Sequence, residues 1–141
     1  MMPESMRQKV KNFIVGHEDC RNFPYIDTLG NITIGIGYNL TNRGMPDSWI
    51  IEQYEADVAY FYNQLFEDFT WFRTLDQNRQ MVLLDMCCMG YKKFKEFTKM
   101  LNALAVYDYK TASQEMINSV WATETKSRAA QDAQVMLTGE V

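Results

Sequence analysis

The sequence changes character at Pro24-Tyr25-Ile26-Asp27-Thr28-Leu29-Gly30-Asn31-Ile32-Thr33-Ile34-Gly35-Ile36-Gly37-Tyr38. Two runs, Pro24-Tyr25-Ile26 and 32–38, flank the turn formers of 27–31. Tyr and Ile suit a pleated surface. Asp and Asn bond their own backbone in turns, and Gly takes the conformations a reversal needs, so a β-hairpin is expected here. Alternation along the second run puts Ile32, Ile34 and Ile36 on one face and Thr33, Gly35 and Gly37 on the other. The second face is small and bare. Glycine within a strand often marks the close approach of a ligand, so this face is a candidate binding surface.

Outside the hairpin the periodicity is helical. Met6, Val10, Phe13 and Ile14 form an apolar stripe over 5–17, with Ser5 as cap and Gly16 at the end. After a turn-rich loop at 39–47, the spacing of Ile51, Tyr54, Val58, Phe61, Leu65 and Phe69 predicts a long helix over 48–69. Asp76 is expected to cap a helix running to Met89, stopped by Gly90. Short helices follow over 94–104 and 108–118, and a last one runs from about Thr125 to Gly139. The expected fold is α+β and mainly helical. One domain spans 1–141, with a small hairpin lobe at about 18–47. The larger helical lobe covers about 70–141 and includes the N-terminal helix.

Composition limits the function classes. Hydrophobic residues make up 47% of 141, including 8 Phe, 8 Tyr and 3 Trp, enough for a sizeable core and against long disorder. No run reaches the roughly 20 apolar residues of a membrane-spanning helix. The polar N-terminus does not resemble a secretory signal, so no export by a self-encoded signal and no stable membrane insertion are expected. A net charge of −4 with no basic block argues against nucleic acid as partner. Cys20, Cys87 and Cys88 are an odd set that fits reduced thiols. With His17 the single histidine and no CxxC, neither a metal site nor a cofactor is expected.

The polar residues of the first third gather where the first helix meets the hairpin. Glu18 follows the helical stripe, Asp27 lies nine residues on in the turn, and Thr33 stands on the bare strand face. Two carboxylates and a hydroxyl around one groove can serve general acid and base chemistry on a glycosidic bond. The spacing alone equally fits a helix-terminal carboxylate and an ordinary turn aspartate.

The longer string separates these readings. Residues 18–38, with a helix-terminal Glu, Asp27-Thr28-Leu29-Gly30 and Thr33-Ile34-Gly35-Ile36-Gly37, resemble the active-site region of the bacteriophage-type lysozymes, glycoside hydrolase family 24. The resemblance continues through Leu75-Asp76 with Arg79, Asp85-Met86-Cys87-Cys88-Met89-Gly90, Ser119-Val120-Trp121, Arg128-Ala129 and Thr138-Gly139. It implies a lysozyme-like fold with the active-site cleft between the two lobes. Glu18 would be the general acid, Asp27 the carboxylate that orients water, and Thr33 a holder of that water. Tyr25, Asn39 and Arg128 would contact substrate, Arg128 near the catalytic Glu. The implied activity is an inverting muramidase of endolysin type, acting on peptidoglycan as a monomer. It would wait in the host cytoplasm until a holin opens the way to the wall. Other readings are a virion-attached or catalytically retired glycan binder and a lytic transglycosylase, which would leave a 1,6-anhydro end.

The chain departs from the family pattern in places. Cys88 stands where a larger polar residue is frequent, and Tyr38 where His is frequent. The acidic balance also differs from many basic relatives. His17 reads as a helix-end surface residue, Cys87-Cys88 as core packing, and the ten methionines as core filler. Tyr60-Phe61-Tyr62 and Trp71-Phe72 read as core and interlobe packing.

Overall fold

The computed structural model describes residues 1–17 and 20–141. The fold is α+β and mainly helical, with one small three-stranded antiparallel sheet among the described residues. The chain divides into two compact units, Met1–Gln53 and Tyr54–Val141.

The first unit opens with helix α1, Glu4–His17, on which His17 is exposed and meets Phe13 edge-on. Strands β1, Cys20–Ile26, and β2, Ile32–Ile36, form the expected hairpin. β1 begins four residues earlier than the Pro24 run suggests, and its register shifts between Arg21 and Tyr25. That bulge lets the strand carry Pro24, whose missing N–H would break a regular ladder.

The expected single strand over 32–38 is two. Gly35 and Gly37 take φ values of +64° and +65°, a region open to glycine at little cost. The chain turns back at Gly37, and β3, Tyr38–Asn39, pairs with β2 in the order β1-β2-β3. The loop read over 39–47 contains a short helix, α2, Leu40–Arg43. Asn39 Oδ1 caps it by accepting from Asn42 N at 3.0 Å, and Gly44 (φ +63°) ends it. Thr41 Oγ1 in turn accepts from Ile32 N at 2.8 Å, tying α2 to the start of β2.

Helix α3, Asp47–Asp68, contributes its first residues to this unit and the remainder to the second. A 3-10 turn over Thr70–Thr74 follows, and then α4, Gln77–Cys87. Asp76 caps α4 as expected, accepting from Arg79 N at 3.0 Å. The expected helix over 94–104 is two, α5, Tyr91–Phe94, and α6, Thr98–Ala105. Helix α7 is Tyr109–Ile117, capped by Asp108. The last expected helix is α9, Ser127–Thr138; a short helix not expected from the sequence, α8, Val120–Thr125, precedes it, and the two are separated at Lys126 with φ +41°.

The core of the second unit buries Leu65, Phe72, Leu83, Met86, Phe94, Leu104 and Met116 completely. Four methionines, Met86, Met100, Met116 and Met136, are core filler, whereas Met1, Met2, Met6, Met45 and Met81 are exposed. Phe72 is core and Phe61 and Trp71 pack against it, whereas Tyr60 and Tyr62 remain partly exposed, Tyr62 resting edge-on against Phe72 and Tyr60 against Phe61. Cys87 is buried, and its burial pushes the thiol up to about 12; Cys88 caps the helix and is exposed rather than packed.

Arg79 ties the start of α4 to the end of α9. Its Nε donates to Met136 O at 2.8 Å and its terminal nitrogens to Leu137 O at 3.0 Å and Asp76 Oδ2 at 2.6 Å. The guanidinium lies 3.7 Å above the Tyr109 ring. Gly139, left-handed at φ +76°, ends α9 directly beside it.

Candidate active site

The hairpin turn builds a fixed carboxylate. Asp27 N donates to Asn31 O at 2.9 Å and Gly30 N to Asp27 O at 3.1 Å, closing the turn. The side chain then folds back over it. Oδ1 accepts from Leu29 N at 2.9 Å and Asn31 N at 2.8 Å; Oδ2 accepts from Asn31 Nδ2 at 3.3 Å and Thr33 Oγ1 at 3.4 Å. An Asp in a tight turn makes such bonds because its short side chain reaches amides two and four residues ahead. The Asn31 backbone N–H, aided by Leu29 N–H and the Asn31 and Thr33 side chains, outweighs a modest desolvation and holds the Asp27 carboxyl below its ordinary value. The group is therefore ionised at neutral pH.

Pairing across the sheet sets the other groups. Tyr25 is opposite Thr33 and Thr33 opposite Asn39, so these three side chains form one row across β1, β2 and β3. Residues directly opposite share a face. Thr33 is 3% exposed, a buried hydroxyl whose proton is directed at Asp27. An open groove of about 480 Å³ runs along this row, lined by Arg21, Tyr25, Asp27, Thr33, Gly37 and Asn39, with Ile26 and Thr28 completing it. The Arg21 guanidinium lies 4.3 Å above the Tyr25 ring. Tyr38 has a packing role instead: it stacks under Arg43 at 4.1 Å and against Trp49 at 4.7 Å.

Four of the six residues singled out in the sequence, Tyr25, Asp27, Thr33 and Asn39, thus line one groove. Glu18 lies outside the described residues. Arg128 belongs to the second unit, where it is no free solvated side chain: Nε donates to Asp85 Oδ2 and a terminal nitrogen to Asp85 Oδ1, both at 2.5 Å, and to Asp85 O at 2.9 Å. Sequence reasoning missed Asn31 and Arg21. Asn31 was readable as a turn former but not as the clamp on Asp27, and the bulge that brings Arg21 over Tyr25 has no local signature beyond Pro24.

A second hollow, of about 400 Å³, lies in the helical unit between Phe97, Met100, Val120 and Trp121. It contains none of the residues whose chemistry the sequence points to. Among the described residues, no group of three or more His, Cys, Asp or Glu is arranged to hold a metal ion, and no helix is long and apolar enough to cross a membrane.

The described residues thus give an α+β chain whose hairpin turn holds an ionised carboxylate braced by a hydroxyl. The chain is similar to a probable T4-type lysozyme 2 from Dictyostelium discoideum, 28% identical over 145 residues, covering 82% of this chain and 85% of the relative. No family model matches the chain.

Proposed function

We propose that the protein is a muramidase that hydrolyses the β-1,4 bond between N-acetylmuramic acid and N-acetylglucosamine in peptidoglycan. Glu18 gives its proton to the glycosidic oxygen as the bond to the anomeric carbon breaks. Water attacks that carbon from the opposite face and passes its proton to Asp27, with Thr33 fixing the water's position. Tyr25 and Asn39 contact the sugars along the sheet row, and Arg128 is a further contact to substrate. Direct displacement inverts the anomeric carbon. It requires the two carboxyl groups about 6.5–9.5 Å apart, a gap that seats a water.

The observation that carries this reading is the fourfold grip on Asp27 beside the buried Thr33 hydroxyl. A carboxylate held ionised and immobile suits a base that orients water, because a general acid would need the opposite environment. The likeness to a T4-type lysozyme supports the substrate class. The biological setting we propose is that of an endolysin: a monomer held in the host cytoplasm until holin-mediated release, ending in cell lysis.

Clearing of outer-membrane-permeabilised Gram-negative cells tests the assignment. Glu18→Gln and Asp27→Asn should each fold normally and lose roughly 10²–10⁴-fold in rate. A folded Glu18→Gln variant retaining more than about a tenth of the wild-type rate would remove Glu18 from the acid's role.

A further inference from the structure

The helical unit contains a second carboxyl pair, distant in sequence from the hairpin and unused by the proposed chemistry. Asp85, on the last turn of α4, is held by two parallel bonds from one edge, Nε and a terminal nitrogen, of the Arg128 guanidinium in the first turn of α9. Asp132, one turn further along α9, lies within hydrogen-bonding reach of the same Asp85 carboxyl. Asp132 Oδ2 is buried and has no hydrogen-bond partner among the described residues. Two ionised carboxylates cannot hydrogen-bond to each other, since both only accept. A proton between them satisfies the contact, leaving one net negative charge to balance the one arginine.

We propose that Asp85 and Asp132 share one proton in the folded protein, and that this proton, with Arg128, is a pH-sensitive latch fastening α9 to the end of α4. The surroundings favour it. Burial pushes Asp132 up, the bond and charge of Asp85 add to this, and it reaches about 7 against the opposing pull of Arg128. Burial also pulls Asp85 up, but Arg128 and the bond from Asp132 outweigh it and hold that carboxyl low. The two carboxyls titrate as a pair, one early and one late. Cys88, at the end of α4, acts on Arg128 only weakly through charge, and its thiol donates to Leu84 O at 3.7 Å. From α7, Ser113 donates to Ala133 O at 2.7 Å, and the Glu124 carboxylate of α8 pairs with Lys93. Among the described residues, the charges acting on Asp132 are Asp85 and Arg128.

The sign follows from linkage. A carboxyl whose folded value is raised binds its proton more tightly in the folded state, so its contribution is lost as pH rises through the folded value. Asp27, Asp76 and Asp108 are all held low and act only below the ordinary carboxylate range. Between about pH 5 and 8 the difference in slope between wild type and Asp132→Asn therefore reports the shared proton, Glu18 being common to both proteins. In wild-type protein, carboxyl-carbon NMR should show Asp132 titrating well above the ordinary aspartate range, and the melting temperature should fall from pH 5 to 8. Asp132→Asn, whose amide donates to Asp85 at any pH, should abolish that slope. Asp132 titrating near its ordinary value in wild type, or the same slope in Asp132→Asn, would overturn the proposal. Should Asp132→Asn fail to fold, the wild-type titration alone decides. The readout is independent of any enzymatic activity.

Discussion

Asn31 grips Asp27 three ways: its backbone N–H meets Oδ1 at 2.8 Å, its side-chain amide meets Oδ2 at 3.3 Å, and its carbonyl accepts Asp27 N–H at 2.9 Å. The carboxylate plane is fixed by the same residue that closes the turn. Backbone geometry and site electrostatics therefore cannot be varied independently at this point.

Asn31→Ala separates them as far as the chain allows, keeping both backbone bonds and removing the side-chain donor. Asp27 should then titrate higher than in wild type, while staying below its ordinary value because the Asn31 and Leu29 amides remain. Because the folded value is lowered, Asp27 contributes stability above the unfolded-state value of 3.8 and loses it as pH falls through the lowered one. Carboxyl-carbon NMR across pH 2–6 measures the shift; an unchanged titration in Asn31→Ala would show that the amide bond contributes nothing.

Thr33 tests the hydroxyl. Thr33→Val keeps the buried shape and removes the donor to Asp27 Oδ2, at a cost to stability of about 0.5–1.5 kcal/mol. Thr33→Ser restores the hydroxyl. With water held between Asp27 and Thr33, Val should lower cell clearing far more than Ser. Equal loss in both would make Thr33 a packing residue.

Gly139→Ala probes the closure of the helical unit. The position is left-handed at φ +76°, and an added Cβ would lie 2.7 Å from an Arg79 terminal nitrogen. The backbone strain alone costs about 1–2 kcal/mol, and Arg79 must also shift from its bonds to Met136 O and Leu137 O. Thermal unfolding should show a clear loss, which Arg79→Ala in the same chain should reduce. An unchanged melting temperature would contradict the packing at this corner.

The hairpin was legible because period-two alternation and a five-residue turn string are local signals, and the Asp76 cap was legible for the same reason. The turn back at Gly37 was not. Alternation continues unbroken through Tyr38, so pattern alone cannot show that the chain changes pairing partner. Nor did the sequence reveal the break at 95–97, which contains neither Gly nor Pro, or the short helix α8. Tyr25, Asp27, Thr33 and Asn39 were read together because one continuous hairpin string carries the resemblance that implied their roles. The Asp85–Arg128 pair spans 43 positions and exists only once α4 and α9 have packed.

The central claim, that Asp27 and Thr33 hold the attacking water, is tested most directly by the configuration of the first product. Proton NMR of peptidoglycan fragments, read before mutarotation, should show an α-configured reducing end released from the β-linked chain. A β-anomer, which requires a retaining route with carboxyl groups only about 5–5.5 Å apart, or a 1,6-anhydro end would contradict it.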